Sequence, residues 1–179
     1  MIKKIFKIGL LAIGVLVLFY YIFITPLKLV KTADRHYPEY PLSDDMKEKI
    51  RRETKIHYEL NAIEYSLRRT ASLLDFSTQN DIENGAANCI GYTRLCVAIC
   101  NYALQIHGYK ERVTSVVGYI EWHGINLCDV AQTIVPKKYK GFFKDHDFIE
   151  LGYFKDEYIY VDPTIFDMTW NDCETIIKK

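Results

Sequence analysis

Apolar side chains recur with a helical period in the region that follows Ser43, and this pattern predicts helical structure as far as Ala71. Ser43 is a residue type that caps helix N termini, and acidic residues follow it in the first turn. The helical pattern has a break near Thr54. The segment from Ser77 to Gly85 is polar and rich in Asn, so we expect it to be a loop.

A second helical pattern begins at Cys89 and continues to about Ile106. Asn88 precedes this pattern as an N-cap, and Gly108 follows it as a common C-terminal signal. The residues between are mostly apolar, so we expect this helix to lie against a sheet.

Alternating apolar and polar residues predict three strands, at Arg112–Glu121, His146–Leu151 and Tyr158–Val161. A turn at Lys155–Asp156 joins the last two strands into a hairpin. The pattern of Ile125–Val135 fits a helix and a strand equally well, and both interpretations stay open.

An uncharged apolar stretch of 18 residues, Ile8–Thr25, lies near the N terminus. At about 1.5 Å of helical rise per residue it is just long enough to cross a bilayer, and lysines flank it on both sides. A cleaved signal peptide is the alternative, but no small-x-small cleavage site follows the stretch. We therefore expect an uncleaved, single-pass anchor, with the N terminus in the cytoplasm and the domain outside it.

These patterns divide the chain into three parts. Residues 1–30 are expected to form the transmembrane signal anchor, residues 31–42 an extended linker, and residues 43–179 one domain with one core. The tail after Asp167 is short, and we expect a last helical turn around Glu174.

The charge of the chain after the anchor excludes one class of partner. Residues 36–179 hold 17 Lys and Arg against 22 Asp and Glu, a net charge of −5. Nucleic-acid binding depends on basic contacts to phosphate, so we expect no nucleic-acid partner. One local basic cluster precedes His146, and we favour a solvated loop over a contact with lipid headgroups. Its members are Lys137, Lys138, Lys140 and Lys144.

The cysteines indicate neither a disulfide framework nor a metal site, because their number, five, is odd and no Cys-x-x-Cys pattern is present. Cys96 and Cys100 fall on the same helix face as Cys89, at about 100° per residue. We expect these two to be small buried residues where the helix meets the sheet. Cys128 and Cys173 are isolated, and a bridge between them has no support.

Cys89 is the candidate nucleophile of the chain. The thiolate, not the thiol, attacks a carbonyl carbon. A helix N terminus favours the thiolate through its free N–H groups and its dipole, and a neighbouring imidazole favours it by taking the proton.

His146 and Asp162 are the candidate partners of this thiol. His146 opens a predicted strand 57 positions after Cys89, and Asp162 ends the next strand 16 positions after His146. A hairpin of that length brings Asp162 beside His146, where a hydrogen bond fixes the tautomer of the ring. The alternative is structural, because Asp and Pro often end strands and a lone His is more often a surface or core residue.

Three blocks in this order resemble the signature of the transglutaminase-like superfamily, a branch of the papain-like cysteine enzymes. They are Cys89-Ile90-Gly91-Tyr92, the His146 strand and Val161-Asp162-Pro163-Thr164, and the resemblance covers about residues 84–167. It implies an α+β fold with a papain-like core, in which the nucleophile helix packs on an antiparallel sheet that carries the His and the Asp. It also implies acyl transfer on amide bonds through a thioester, with Cys89, His146 and Asp162 as the catalytic triad.

The chain departs from the family pattern directly after the His. Members commonly have a small residue and then Trp there, whereas Asp147 and Phe148 stand here, so a charge lies next to the predicted base. The backbone N–H of Cys89 is one candidate oxyanion donor, and Asn80 and Gln79 both stay open as the second. No calcium-binding loop pattern is present, and we expect no metal and no cofactor.

Two functions stay open. The first is a membrane-anchored cysteine protease or transglutaminase-like acyltransferase that acts on a peptide or protein substrate, by hydrolysis or by acyl transfer. The second is a catalytically silent domain of the same fold that binds peptide or serves as a scaffold at the membrane. The intact Cys-His-Asp set favours the enzyme, and Asp147 favours the silent domain.

Overall fold

Strands and helices of the computed structural model are described for residues 27–137, 144–153, 157–169 and 175–178. They form an α+β arrangement, in agreement with the fold class predicted from the sequence. The expected anchor, Ile8–Thr25, lies outside the described residues. Among the residues that are described, no helix is both long enough and apolar enough to cross a bilayer.

The helices agree with the predicted pattern where one was predicted. They are α1 (Asp44–Glu53), α2 (Glu59–Ala71), α3 (Cys89–Ile106), α4 (Leu127–Ile134) and α5 (Pro163–Thr169). Ser43 caps α1 by accepting a hydrogen bond from the Met46 backbone N–H at 3.2 Å, and Thr54 ends it, which confirms the predicted cap and break. The ambiguous segment after residue 125 is two residues of strand followed by α4. Its pattern was weak because only Cys128 of α4 is buried.

The strands are β1 (Lys28–Asp34), β2 (Asp75–Phe76), β3 (Ala86–Ala87), β4 (Val113–Trp122), β5 (Ile125–Asn126), β6 (His146–Tyr153), β7 (Glu157–Val161) and β8 (Thr175–Lys178). Six of them form an antiparallel sheet in the order β1-β4-β6-β7-β8, with β5 paired to β4. The predicted hairpin is therefore confirmed as β6 and β7. Its expected turn, Lys155–Asp156, falls in a gap of the described residues.

Helix α3 lies against β4 and β6 and forms the centre of the main core. Leu95 and Ile99 are buried there with Ile149 and Leu151 of β6. Each apolar side chain of this size contributes about 1.5–3 kcal/mol when it is fully buried. The core thus fixes α3 on the strand whose first residue is His146.

Tyr92, one turn into α3, is fully buried and ties the start of that helix to two other elements. Its hydroxyl lies within hydrogen-bonding distance of two acceptors, the Leu74 carbonyl oxygen at 2.9 Å and Asp167 Oδ2 at 2.5 Å. Asp167 belongs to α5, so this contact holds the N terminus of α3 beside the helix that follows Asp162.

The N-terminal boundary of the domain differs from the predicted one. Residues 31–42 were expected to be a linker, yet Lys28–Asp34 is an edge strand paired with β4. A Cβ built on Gly118 of β4 would lie 1.8 Å from the Val30 carbonyl oxygen, so the pairing depends on a glycine at that position. The sequence signal is slight because only Leu29 of this strand is fully buried.

The C-terminal segment also differs from the expectation. Thr175–Lys178 is a strand that pairs with β7, where the sequence predicted a helical turn around Glu174, a residue outside the described part. Helix α5 was not predicted. Its local signal is Asp162 followed by Pro163, because Pro is favoured at the first helical position behind a capping Asp.

Candidate active site

Cys89 is the first residue of α3, as predicted, and its side chain is partly exposed. The Asn88 side chain caps the helix: Asn88 Oδ1 accepts from the Ile90 N–H at 3.0 Å and from the Gly91 N–H at 3.3 Å. The Cys89 backbone N–H occupies a helix position that has no intrahelical acceptor. The thiol therefore lies at the positive end of an 18-residue helix.

His146 and Asp162 are brought together by the hairpin. His146 Nε2 is hydrogen-bonded to Asp162 Oδ2. The other oxygen, Asp162 Oδ1, accepts from the backbone N–H groups of Thr164 at 2.9 Å and Ile165 at 3.1 Å. Asp162 is fully buried. Both expected placements of Asp162 are thus present, because one oxygen caps α5 and the other is hydrogen-bonded to the ring.

The Cys89 side chain lies close enough to the same imidazole to act on its pKa. Burial lowers the pKa of His146, but the Asp162 carboxylate and then Cys89 act in the opposite direction, and the pKa of His146 is raised well above its ordinary value. A raised pKa favours the imidazolium, the form that stabilises a neighbouring thiolate. The three predicted residues are therefore neighbours, with His146 hydrogen-bonded to Asp162 and near the Cys89 side chain.

Asp147 is a fourth side chain at the thiol. Its Oδ2 lies 4.0 Å from Cys89 Sγ, with the thiol as donor, and the side chain is only 1% exposed. Tyr37 OH donates to Asp147 Oδ1 at 2.8 Å, and Arg35 Nη1 donates to Oδ2 at 3.3 Å. Burial raises the pKa of Asp147, and Tyr37 and Arg35 act against this shift.

Arg35 and Tyr37 were missed from the sequence. They belong to residues 35–42, which have no regular secondary structure and which we call the N-terminal arm. The arm is fixed at its start, because the Arg35 backbone N–H donates to the Ser115 carbonyl oxygen at 3.1 Å. Nothing in the local pattern marks these residues. Recognising β1 would have been the only way to place them beside the strand that carries His146.

Asn80 and Gln79 occupy different environments. A Cβ built on Gly91 would lie 2.0 Å from Asn80 Oδ1, so the Asn80 amide rests directly on the first turn of α3. Both residues are exposed, and the Gln79 backbone N–H donates to Ser77 Oγ at 3.1 Å. Of the two candidates for the second oxyanion donor, Asn80 is the one whose side chain lies against the helix that begins at Cys89.

The other cysteines lie in environments unlike that of Cys89. Cys96 and Cys100 are completely buried, as expected for small core residues, and burial raises the pKa of Cys96 to about 11. Cys128 is a free thiol that is 8% exposed, and burial raises its pKa too. Cys173 lies outside the described residues. Cys89 is thus the most accessible of the four described thiols.

Two further histidines have structural contacts. His107 Nε2 lies 3.1 Å from Thr54 Oγ1. The His123 and Trp122 rings pack in a T-shaped arrangement, with their centroids 4.9 Å apart. Lys137 and Lys144 of the basic cluster are exposed, and Lys138 and Lys140 lie outside the described residues. Within the described ranges, no cluster of three or more His, Cys, Asp or Glu side chains is arranged to hold a metal ion.

No protein-family model matches this chain, and neither a curated protein nor a solved structure matches it. The geometry around Cys89 is therefore the basis for a functional proposal.

Proposed function

We propose that this chain is a cysteine enzyme of the transglutaminase-like type, with a papain-like core, that acts on amide bonds of peptide or protein substrates. The observation that carries the proposal is the position of His146, which lies near the Cys89 side chain and is hydrogen-bonded to the buried Asp162. A cysteine at a helix N terminus, an imidazole and an orienting carboxylate are the components of an activated thiol nucleophile.

In the first half of the reaction, the Cys89 thiolate attacks the carbonyl carbon of the amide and a C–S bond forms. The oxygen of the tetrahedral intermediate carries the negative charge. When the intermediate collapses, the C–N bond breaks, and the His146 imidazolium gives its proton to the leaving amine or ammonia. The product is a thioester on Cys89 and a neutral imidazole.

In the second half, water or an amine attacks the thioester carbon. His146 takes a proton from the attacking group as the C–S bond breaks, which returns the thiolate–imidazolium pair. Water gives hydrolysis, and an amine gives acyl transfer. Asp162 orients His146 through both halves without changing its own protonation state.

Two groups near the start of α3 are candidate donors to the oxyanion. The Cys89 backbone N–H lies at the first position of α3, and the Asn80 amide rests against Gly91 two residues further on. Donors aimed at the developing charge supply a large part of catalysis in acyl transfer. We propose the Cys89 N–H as the first donor and Asn80 as the second.

We also propose that the residues ahead of β1 anchor this enzyme in a membrane, with the domain on the extracytoplasmic side. The support is the sequence alone, namely the 18 uncharged residues of Ile8–Thr25 and their flanking lysines. A reporter fused after Lys179 is expected to be active only outside the cytoplasm, and activity inside it would contradict this orientation.

One observation favours the second candidate, a catalytically silent module that binds peptide or acts as a scaffold. Asp147 Oδ2 lies 4.0 Å from Cys89 Sγ, and a hydrogen bond from the thiol to a carboxylate favours the protonated, unreactive form. The two candidates therefore differ in one property, the reactivity of Cys89 at and below neutral pH.

Alkylation of the full-length chain with iodoacetamide, held in mild detergent and followed by peptide mapping across pH, measures this property. We expect Cys89 to react fastest of the five cysteines and to remain reactive well below pH 8. His146→Ala should abolish the reactivity at low pH, and His107→Ala, which removes a histidine bonded to Thr54, should not. If Cys89 reacts no faster than Cys128 or Cys173, the result would contradict the proposal that this chain is an enzyme.

An activated ester separates the enzyme from the silent module in a second way. With p-nitrophenyl acetate, an active thiol is expected to give a stoichiometric burst of p-nitrophenolate that Cys89→Ala abolishes. A silent module gives no burst at neutral pH.

A further inference from the structure

The Asp147 carboxylate is buried between the nucleophile and the N-terminal arm. On one side its Oδ2 faces Cys89 Sγ at 4.0 Å, and on the other side it receives Arg35 Nη1 at 3.3 Å. Tyr37 OH donates to its second oxygen at 2.8 Å and receives Arg35 Nη1 at 3.1 Å. A carboxylate that is 1% exposed is thus held by two donors from residues 110 and 112 positions away.

Arg35 is shared between two carboxylates. Its Nη1 reaches Asp147, while its Nη2 reaches Asp145 Oδ2 at 2.9 Å. The hydrogen bond with Tyr37, and after it the charge of Asp147, raise the pKa of the Arg35 guanidinium further against the effect of burial, so Arg35 stays charged. The Asp145 side chain is 41% exposed, whereas that of Asp147 is 1% exposed, so solvent screens only the first pair effectively.

The charged and titratable groups around Cys89 and its neighbour Asp147 come from three elements. From β6 and the residue before it come His146, Asp147 and Asp145. From the end of β7 comes Asp162, which is paired with His146, and from the N-terminal arm come Arg35 and Tyr37. The first turn of α3 carries no acidic residue. Asp147 is therefore the carboxylate in direct contact with the thiol, and Arg35 is the cation that contacts Asp147.

A carboxylate in direct contact with a thiol opposes the loss of the thiol proton, because two negative charges at that separation in a buried site repel each other strongly. A cation in contact with the same carboxylate cancels most of that repulsion. The effect of Asp147 on Cys89 thus depends on Arg35.

We infer that Arg35 is a positioning residue of the active site, which neutralises and holds Asp147 so that the thiolate of Cys89 can form beside it. The inference rests on the proposed role of Cys89 as nucleophile. Tyr37 assists by holding the second oxygen of Asp147, so the arm that follows β1 sets the reactivity of a residue on α3.

The test is the pH dependence of Cys89 alkylation in four variants of the full-length chain in detergent. Arg35→Met leaves Asp147 without its cation, and the midpoint of the profile should move up by about one pH unit, with a rate about tenfold lower on the acid side. Asp147→Asn should move the midpoint down, because Arg35 then faces a neutral amide. Arg35→Met combined with Asp147→Asn should remove the upward shift.

Arg94→Met is the matched control. The guanidinium carbons of Arg94 and Arg35 lie 6.0 Å and 5.9 Å from the centroid of the same Tyr37 ring. The hydrogen bond of Arg94, however, goes to the Pro38 carbonyl oxygen. Loss of this arginine should leave the profile unchanged. A wild-type profile in Arg35→Met, or an upward shift in Asp147→Asn, would overturn the inference, and the latter variant decides the question if Arg35→Met does not fold.

Failure of the proposed function has a different signature. In that case wild-type Cys89 reacts no faster than Cys128, whatever the variants do. If the inference alone fails, wild-type Cys89 is selectively reactive but its profile does not respond to Arg35.

Discussion

Asp147 and Asp162 are two buried carboxylates on either side of the Cys89–His146 pair, and they are held by different parts of the molecule. Asp162 is held by its own neighbourhood, since its oxygens bond to the next two backbone N–H groups after Pro163 and to the ring across the hairpin. Asp147 is held by Arg35 and Tyr37 of the N-terminal arm.

Burial alone does not decide what a carboxylate does in this site. Asp162 is hydrogen-bonded to two backbone N–H groups and to the His146 ring. These hydrogen bonds stabilise its negative charge, so it can stabilise an imidazolium. In the proposed mechanism the thiol beside Asp147 must itself become negative, and Asp147 therefore needs a counter-charge from elsewhere. The first arrangement is local, and the second requires the N-terminal strand to be in place.

Asp162→Asn should give the largest effect, because Asn keeps the cap of α5 but loses the charge that supports the imidazolium. We expect the alkylation rate of Cys89 at pH 6 to fall by about two orders of magnitude, the difference between a thiolate and an ordinary thiol at that pH. The free energy of unfolding should change little. Asp162→Ala should also lose about 1 kcal/mol from the missing cap, measured by urea unfolding. An unchanged alkylation rate in Asp162→Asn would separate Asp162 from the reactivity of the thiol.

Gly118→Ala should destabilise the fold and displace β1, the strand that leads into Arg35 and Tyr37. The new Cβ would lie 1.8 Å from the Val30 carbonyl oxygen, and backbone has to move to relieve such a clash. We expect a loss of about 3 kcal/mol in urea unfolding and an upward shift of the Cys89 profile, as for Arg35→Met. Gly152→Ala on β6 is the control, because nothing lies within 4 Å of its Cβ. Equal stability of the two variants would show that β1 does not approach Gly118 closely.

The pH dependence of stability should show the smallest effect. Folded His146 binds its proton more tightly than the unfolded chain does, because its pKa is raised in the fold. This stabilisation is complete below the unfolded pKa of about 6.5 and is lost as pH rises through the folded pKa. The free energy of unfolding should therefore fall above pH 6.5, with a slope of at most about 1.4 kcal/mol per pH unit. Asp162→Asn should flatten this slope, and a wild-type protein that gains stability over the same range would contradict the raised pKa.

The sequence revealed one side of the site and not the other, for a physical reason. Cys89, His146 and Asp162 each stand at the end of a regular element, and 16 residues of hairpin are enough to bring the last two together. The caps at Ser43 and Asn88 were likewise visible, because capping is a property of four adjacent residues.

The N-terminal side was not predictable in this way. Strand β1 buries only Leu29 completely, so its apolar residues show no periodicity. Its pairing partner β4 lies more than 80 residues away along the chain. Arg35 and Tyr37 meet Asp147 only because of that pairing. Asp147 was visible only as a departure from a family pattern, and its meaning depended on contacts that no local pattern contains.

The double use of Asp162 has a consequence for protein synthesis. Its two oxygens are engaged by α5 and by His146, so the imidazole gains its partner only after Asp162 has joined the folded hairpin. A chain still emerging from the ribosome carries Cys89 long before Asp162 has been made. The nascent polypeptide therefore holds a thiol without its oriented base until the β6–β7 hairpin has emerged.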